Sequence, residues 1–356
     1  MTGFGIEELP IPASLDGAEG RDFRDAIDAR NAAEVAGFGT LEAAYPAEEI
    51  FLHWQNAHEP KRWWGARVDG RIVGRALLEW QLEDETRASW VKVEVHPDHA
   101  AGDEIADALM AAAETAAREQ GFTRMLTYAV SPPGPGERLV PPTGAGSVPA
   151  DNPEVRFLLR HGWRLEQVTR ASRFPLPVDV PALERLRDEA AAAAGGYRVH
   201  TWQGPSPERF LADLAALYTR MSTDAPSAGL EEPEDVWTAE RVAEEDARFL
   251  DSPSRIFHAV AEHIASGRLA GYTQLSAPRD LARPANQDDT LVLREHRGHR
   301  LGMLLKAENL LALQREAPGN PSVLTWNAEE NRPMLDVNEA VGFVPFGYEG
   351  AWRKDL

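Results

Sequence analysis

The chain has 356 residues, no cysteine and a formal net charge of −20. That length supports two domains, each with its own core, and the lack of cysteine excludes disulfides, thiolate nucleophiles and thiolate metal sites. The acidic balance disfavours nucleic acid or an anionic membrane as partner. No apolar run of about 18 residues marks a membrane span, and the N-terminal stretch MTGFGIEELPIPASLDG lacks the apolar centre of a signal peptide, so a cytoplasmic protein is expected.

Taken in chain order, the first clear element is DGRIVGRALLEW (69–80), a hairpin turn at Gly70-Arg71 followed by a strand containing Gly74. The strand WVKVEV ends at Val95 and leads through Ala100, Ala101, Gly102, Asp103, Glu104 and Ile105 into the helix ADALMAAAETAAREQG. A strand MLTYAV (125–130) follows. The stretch 131–153 is too rich in Pro and Gly for regular structure and carries Asn152, and after it comes His161-Gly162-Trp163. Residues 175–196 predict a connector, with a short helix around Leu183 and Leu186 ended by Gly195-Gly196.

The order then repeats. Tyr197 to Trp202 predicts a strand, and Phe210 to Met221 and Val236 to Phe249 predict helices. SGRLAGYTQLSA (266–277) matches 69–80, with Gly267-Arg268 at the turn and Gly271 within the strand. TLVL ends the matching central strand, LGMLLKAENLLALQRE is the matching helix, SVLTWN (322–327) the next strand, and Val341-Gly342-Phe343 the counterpart of His161-Gly162-Trp163. Several elements recurring in one order indicate a tandem duplication of an α+β unit, each copy a mixed central sheet flanked by helices. The expected boundaries are 1–175 for the first domain, 176–196 for the linker and 197–356 for the second domain.

The most informative stretch is LREHRGHRLGMLLKAENLL (293–311). A strand that ends in a turn bearing Arg297, Gly298, His299, Arg300 and Gly302 at a helix start is built to hold phosphate. Backbone N–H groups point outward, the helix dipole favours an anion, and the arginines add charge. The stripe of Leu301, Leu304, Leu305, Leu311 and Ala312 predicts core packing of that helix.

These residues resemble the GNAT acetyltransferase superfamily, whose strand, Arg/Gln-x-x-Gly-x-Gly/Ala turn and helix bind the pyrophosphate of acetyl-CoA. Val292 stands ahead of the turn as in the family, and Arg297, Leu301 and Gly302 match, while Arg300 replaces the central glycine. Asn327 and Asn331, then NEAVGF (338–343), match the region where the family contacts the pantetheine arm and opens its last strands. The layout is similar to tandem GNAT proteins such as mycothiol synthase. The resemblance implies acetyl-CoA as co-substrate, held by Val292, Leu293, Arg294, Arg297, Gly298, His299, Arg300, Leu301, Gly302, Met303, Asn327 and Asn331, with no metal. It further implies direct transfer of the acyl group to a small-molecule primary amine in the second domain. The rival expectation is a non-catalytic acyl-CoA-binding or regulatory module. A monomer whose halves mimic a dimer, or a homodimer, fits the duplication.

For the chemistry, an alkylamine must lose a proton before attack. Strand alternation expects Asp288 on the face of Val292 as base, with Asp289 facing the other way; Glu329 and Glu330 are alternatives. The resemblance places an oxyanion-binding N–H near Leu293 and Arg294. The family's usual tyrosine acid is here Asn338, leaving Tyr348 as the candidate proton donor. The first half reads as degenerate: no arginine faces Arg297, and Asp103 and Glu104 sit where pyrophosphate would lie. At ~6 Å and an effective dielectric of ~20 each such repulsion costs roughly 3 kcal/mol. The ten histidines show no metal-ligand spacing.

Overall fold

The computed structural model of the protein describes residues 3–82, 86–132, 134–250 and 252–356. The chain forms two compact units. The first comprises residues 1–169, 227–233 and 347–356, and the second 170–226 and 234–346.

In the first unit β1 (Gly5–Leu9), α1 (Gly17–Phe38) and α2 (Ala47–Trp54) precede the antiparallel strands β2 (Lys61–Val68), β3 (Arg71–Glu79) and β4 (Ala88–Val95). Helix α3 (Gly102–Glu119) crosses to β5 (Arg124–Val130), which runs parallel to β4. The Pro/Gly-rich stretch, whose Pro133 lies outside the described residues, is not structureless. It contains the two-residue strands β6 (Arg138–Leu139) and β7 (Val148–Pro149), and Val148 is fully buried in the first unit's core. One apolar anchor and a backbone ladder suffice to order a stretch that composition alone marks as loop. In α4 (Pro153–Arg160), Asn152 is the N-cap, its Oδ1 accepting from the N–H groups of Glu154 at 2.9 Å and Val155 at 3.3 Å. β8 (Arg164–Pro175) follows and ends in the second unit.

The expected connector is part of that second unit. It forms α5 (Val180–Ala193), capped by Asp179, with Leu183 and Ala190 buried in the core beside the later helix α8. Then come β9 (Tyr197–Gln203), α6 (Leu211–Asp224), α7 (Ala239–Arg248) and the antiparallel strands β10 (Ser254–His263), β11 (Arg268–Pro278) and β12 (Ala285–Val292). α8 (Leu301–Glu316), β13 (Ser322–Ala328), α9 (Arg332–Val341) and β14 (Val344–Asp355) complete the chain. The strand order is β1-β2-β3-β4-β5-β14 in the first unit and β9-β10-β11-β12-β13-β8 in the second. The second domain expected at 197–356 therefore differs from the compact unit at both ends. Residues 170–196 join it, and β14 from Gly347 onward pairs with β5, Glu349 opposite Val130 and Asp355 opposite Arg124.

The duplication is visible in backbone detail. In each unit the glycine-bearing strand carries a bulge beside its glycine, Val73 next to Gly74 opposite Ala66 and Arg67, and Ala270 next to Gly271 opposite Ala261 and Glu262. A Cβ on Gly271 would fall 2.6 Å from the Leu291 carbonyl oxygen, and one on Gly74 would fall 3.0 Å from Val95 Cγ2. Glycine recurs because the next strand approaches too closely for a side chain. In both units the central parallel pair is short: Ala88 to Trp90 against Arg124 to Leu126, and Ala285 and Asn286 against Val323 and Leu324. Beyond those residues the strands part, and each parted pair opens a V in its sheet.

Candidate active site at the parted strands of the second unit

The site begins at the end of β12. Leu293 N–H donates to the Ala270 carbonyl at 2.9 Å, a single 3₁₀ turn spans Arg294–His296, and Gly298 (φ 85°) and Arg300 (φ 56°) adopt left-handed backbone before α8. Arg300 thus fills a conformation that favours glycine, which the family has there. No side chain caps α8, so its first N–H groups face outward, and its first turn carries no acid. A Cβ on Gly302 would meet nothing within 4 Å, so the approach to those N–H groups is open.

The arginines are used differently from the expectation that they grip phosphate directly. Arg297 donates through Nε to the Val292 carbonyl at 3.0 Å and through Nη2 to Asp224 Oδ2 at 3.1 Å. Arg294 reaches the other oxygen of Asp224 at 3.2 Å, and Arg220 joins at 3.3 Å. Asp224 is fully enclosed at the C-terminus of α6, so three guanidinium groups around one buried carboxylate pin the turn to that helix. Arg300 lies 3.7 Å from Glu189 on α5. His296 Nδ1 is 2.9 Å from the Tyr197 hydroxyl, and the exposed His299 ring turns toward the carbonyls of its own loop. Leu301 and Met303 point into the core and can offer only backbone. The site is therefore a helix N-terminus with surrounding positive charge held in place by Asp224, a residue with no sequence signal of its own.

The V between β12 and β13 carries the polar groups. The expectation that Asp288 shares the face of Val292 fails. A register shift between Thr273 and Leu275 inserts a bulge into β12 and breaks the alternation. Asp288 accepts from Ser276 Oγ at 3.2 Å and Asp289 from the Tyr272 hydroxyl at 3.3 Å, so both carboxylates lie on the α6/α7 face. Val292 instead packs with the core beneath α8. Tyr218, Tyr272 and Trp237 pack against one another beside the carboxylates, Tyr218 meeting Trp237 edge-on at 5.2 Å and Tyr272 at 4.9 Å. Asp289 is solvent-exposed on β12, and hydration lost to the protein atoms around it is the main cause that raises its carboxyl above the ordinary range, against the Tyr272 hydrogen bond and the charge of Lys306. The same loss of hydration lifts both tyrosine hydroxyls, so they stay protonated as donors.

On the α8 side, Asn338 is buried; its Nδ2 donates to Asn327 Oδ1 at 2.7 Å, while its own Oδ1 has no partner among the described residues. Asn331 is the N-cap residue just ahead of α9. Glu329 is gripped by Arg170 through two 2.8 Å contacts, which removes it as a free base. Tyr348 is not part of this site. It lies on the portion of β14 that pairs with β5, its carbonyl accepting from Ser131 N–H at 2.8 Å and its ring packed against the first unit's core. Lys306, which the apolar stripe concealed, is 1 % exposed on α8 with its Nζ 5.8 Å from the Phe343 ring.

The first unit's V differs. Lys92 on β4 donates to the Tyr128 carbonyl on β5 at 2.7 Å and so ties the parted strands together, and Trp90 stacks on Tyr128 at 5.3 Å. A cavity of about 50 Å³ remains, lined among others by Glu34, Lys92, Glu94, Tyr128 and Glu154. That is room for about three to five waters at about 10–15 Å³ each. α3 starts with Asp103 and Glu104 and has no basic residue in that turn.

A family model described as the acetyltransferase (GNAT) family matches residues 27–135, within the half expected to be degenerate. A tandem GNAT protein from the clavulanic acid biosynthesis pathway, solved without acetyl-CoA, superposes with a TM-score of 0.74 at 25% identity, covering 99% of this chain and 98% of that one. The chain thus carries a GNAT-family match over residues 27–135 and shares the fold of a tandem GNAT protein over nearly its whole length. A GCN5-related N-acetyltransferase from Sphaerobacter thermophilus shares the fold at a TM-score of 0.62 and 17% identity, over 99% of this chain and 95% of that one. A glucosamine N-acetyltransferase region of a fungal multi-domain β-N-acetylglucosaminidase does so at 0.60 and 16%, over 99% and 38%. No curated protein matches the sequence. The matched family is one of acetyltransferases, so acyl transfer is the enzyme class that the comparisons support. Among its described residues no helix is long and apolar enough to cross a membrane, and no cluster of three or more His, Asp or Glu could hold a metal ion.

Proposed function

We propose that the second unit holds acetyl-CoA and transfers its acetyl group to the amine of a small molecule. The observation that carries this reading is the contrast at the two helix N-termini: α8 is uncapped, free of acid in its first turn, flanked by arginines and open at Gly302, whereas α3 opens with two carboxylates. The outward N–H groups of α8 suit the pyrophosphate. The V between β12 and β13 suits the pantetheine arm, with Asn327 and Asn338 beside it.

Asp289 is the base in this reading. It faces the cleft bordered by Tyr218, Tyr272 and Trp237, where two carboxylates and three aromatic rings favour an ammonium group. Its raised carboxyl suits it to accept the proton that the ammonium must lose, and the Tyr272 hydroxyl fixes its orientation. Leu293 N–H is committed to Ala270, so Arg294 N–H is the nearer donor for the oxyanion.

The test is release of free thiol from acetyl-CoA in the presence of an amine panel spanning polyamines, aminoglycosides and peptide N-termini. Amine-dependent release that Asp289→Asn suppresses supports the reading. Binding of acetyl-CoA with no release for any amine favours a non-catalytic acyl-CoA module, which the replacement of tyrosine by Asn338 would then explain.

A further inference from the structure

Three histidines of the second unit gather on one tyrosine beside the turn that opens α8. The ring of Tyr197, at the start of β9, lies 5.3 Å from that of His263 at the end of β10, 5.6 Å from His296 and 5.3 Å from His299. His263 and His296 are themselves 4.9 Å apart. His296 and His299 belong to the turn between β12 and α8, and His299 stands two residues ahead of Leu301, where the helix begins. Tyr197, His263 and His296 are half-buried and His299 is exposed, so the cluster stays within reach of a solute.

All three imidazoles are held in the same manner. Nδ1 of His263 is 3.0 Å from Ser266 Oγ, Nδ1 of His296 is 2.9 Å from the Tyr197 hydroxyl, and Nδ1 of His299 is 3.1 Å from the Arg297 carbonyl. Among the described residues Nε2 of none of them has a partner. Packing alone would be served by phenylalanine at these positions, whereas rings oriented through one nitrogen leave the other for a ligand. A free Nε2 can give its lone pair to a metal ion or its N–H to an oxyanion. Among the described residues no group of three could hold a metal ion, which leaves the oxyanion.

The turn's other cations are engaged. Arg294 and Arg297 meet Asp224, and Arg300 lies 3.7 Å from Glu189. Coenzyme A carries three phosphates. Two form the pyrophosphate that suits the N–H groups of α8. The third sits on the 3′ oxygen of the ribose, one sugar away, and needs its own donors beside that helix start.

We infer that His263, His296 and His299 form the subsite for the 3′-phosphate of coenzyme A. This rests on the reading that acetyl-CoA occupies the second unit. Each imidazole donates through Nε2 while its Nδ1 partner fixes the ring. His299 Nδ1 already gives its hydrogen to a carbonyl, so His299 binds the phosphate as imidazolium, through a charge-assisted bond. The cluster thereby selects intact coenzyme A thioesters over dephospho forms.

The experiment is calorimetric titration of the full chain with coenzyme A and with 3′-dephospho-coenzyme A, which differ only in that phosphate. Wild type is expected to prefer coenzyme A by about tenfold or more, the range of one hydrogen bond to a charged group. His299→Gln, at an exposed ring, is expected to cut the preference about threefold. The triple variant His263→Gln, His296→Gln, His299→Gln is expected to abolish it and to leave dephospho-coenzyme A affinity unchanged. Equal binding of the two probes by wild type overturns the assignment without recourse to any variant. So does a preference that survives in the triple variant, which would put the phosphate on the arginines. An equal fall in both affinities would mark the cluster as packing and overturns it too. If neither probe binds, or if Gly302→Glu leaves binding of both intact, the coenzyme A site itself is misplaced and the subsite falls with it. Binding of both that Gly302→Glu weakens, with no preference between them, sinks the subsite alone.

Discussion

The two units place opposite chemistry on one backbone. In the first, β4 and β5 part and are laced together by Lys92 reaching the Tyr128 carbonyl. In the second, the counterpart of Lys92 in the repeat is Asp289, whose carboxylate accepts from the Tyr272 hydroxyl, while a different lysine, Lys306, is buried on α8 beside the Phe343 ring. The helix N-termini differ in the same sense, Asp103 and Glu104 repelling the anion that α8 would attract. The family's sequence pattern is recognised in the first unit, at 27–135, although the charges suited to its ligand are in the second. Fold and ligand chemistry are carried by different residues, so one half of a duplication can keep the first after losing the second.

The largest expected effect that sharpens this contrast is Asp289→Asn, which should lower turnover by about 10² to 10⁴ with acetyl-CoA affinity unchanged, while Asp288→Asn stays within a few-fold. Steady-state kinetics on both variants checks it, and equal losses would show that Asp289 is not distinguished from Asp288 as the base. Next in size, Gly302→Glu should weaken acetyl-CoA binding at least about tenfold through charge repulsion. Because a Cβ there meets nothing within 4 Å, its thermal unfolding should match the wild type.

The paired lysines give a pH-dependent comparison. Lys306 titrates near 7 when folded against 10.5 when unfolded, so between those values the unfolded chain binds more protons and stability rises with pH. Below pH 7 the folded state bears the full penalty of the buried ammonium. Lys306→Met should therefore unfold at a higher temperature than wild type at pH 6, with the advantage shrinking as pH rises above 7. Lys92→Met should show no such gain, because Lys92 has its carbonyl partner. Thermal scans at several pH values decide this. The smallest effect expected is that of Tyr348→Phe. It should leave turnover intact and change stability by less than about 1 kcal/mol, since the residue lies on the β14 segment paired with β5. A loss of turnover would mean that the second unit's chemistry depends on residues of the first.

The duplication, the strand-turn-helix and the connector helix were legible because they are written in local signals: hairpin glycines, a 3.6-residue apolar period, a capping Asp179. What was not legible depends on tertiary facts. Alternation put Asp288 on the wrong face because a bulge is set by how β11 and β12 register, and no residue in RPANQDD announces one. Arg297 looked like a phosphate ligand because Asp224, which claims it, is 73 positions away. Lys306 read as an ordinary member of an amphipathic helix, since nothing in LLKAENLL reveals that α8 is covered on nearly every side. Tyr348 was misplaced because β14 changes unit at Gly347, a feature of chain path rather than of sequence pattern.

The division of labour between the units is tested most directly by titrating the full chain with acetyl-CoA in a calorimeter, as wild type and as Gly302→Glu. One equivalent bound per chain, weakened at least about tenfold by that substitution, is the expected result. Two equivalents per chain, or one whose affinity Gly302→Glu leaves unchanged, would contradict the placement of the coenzyme A site in the second unit.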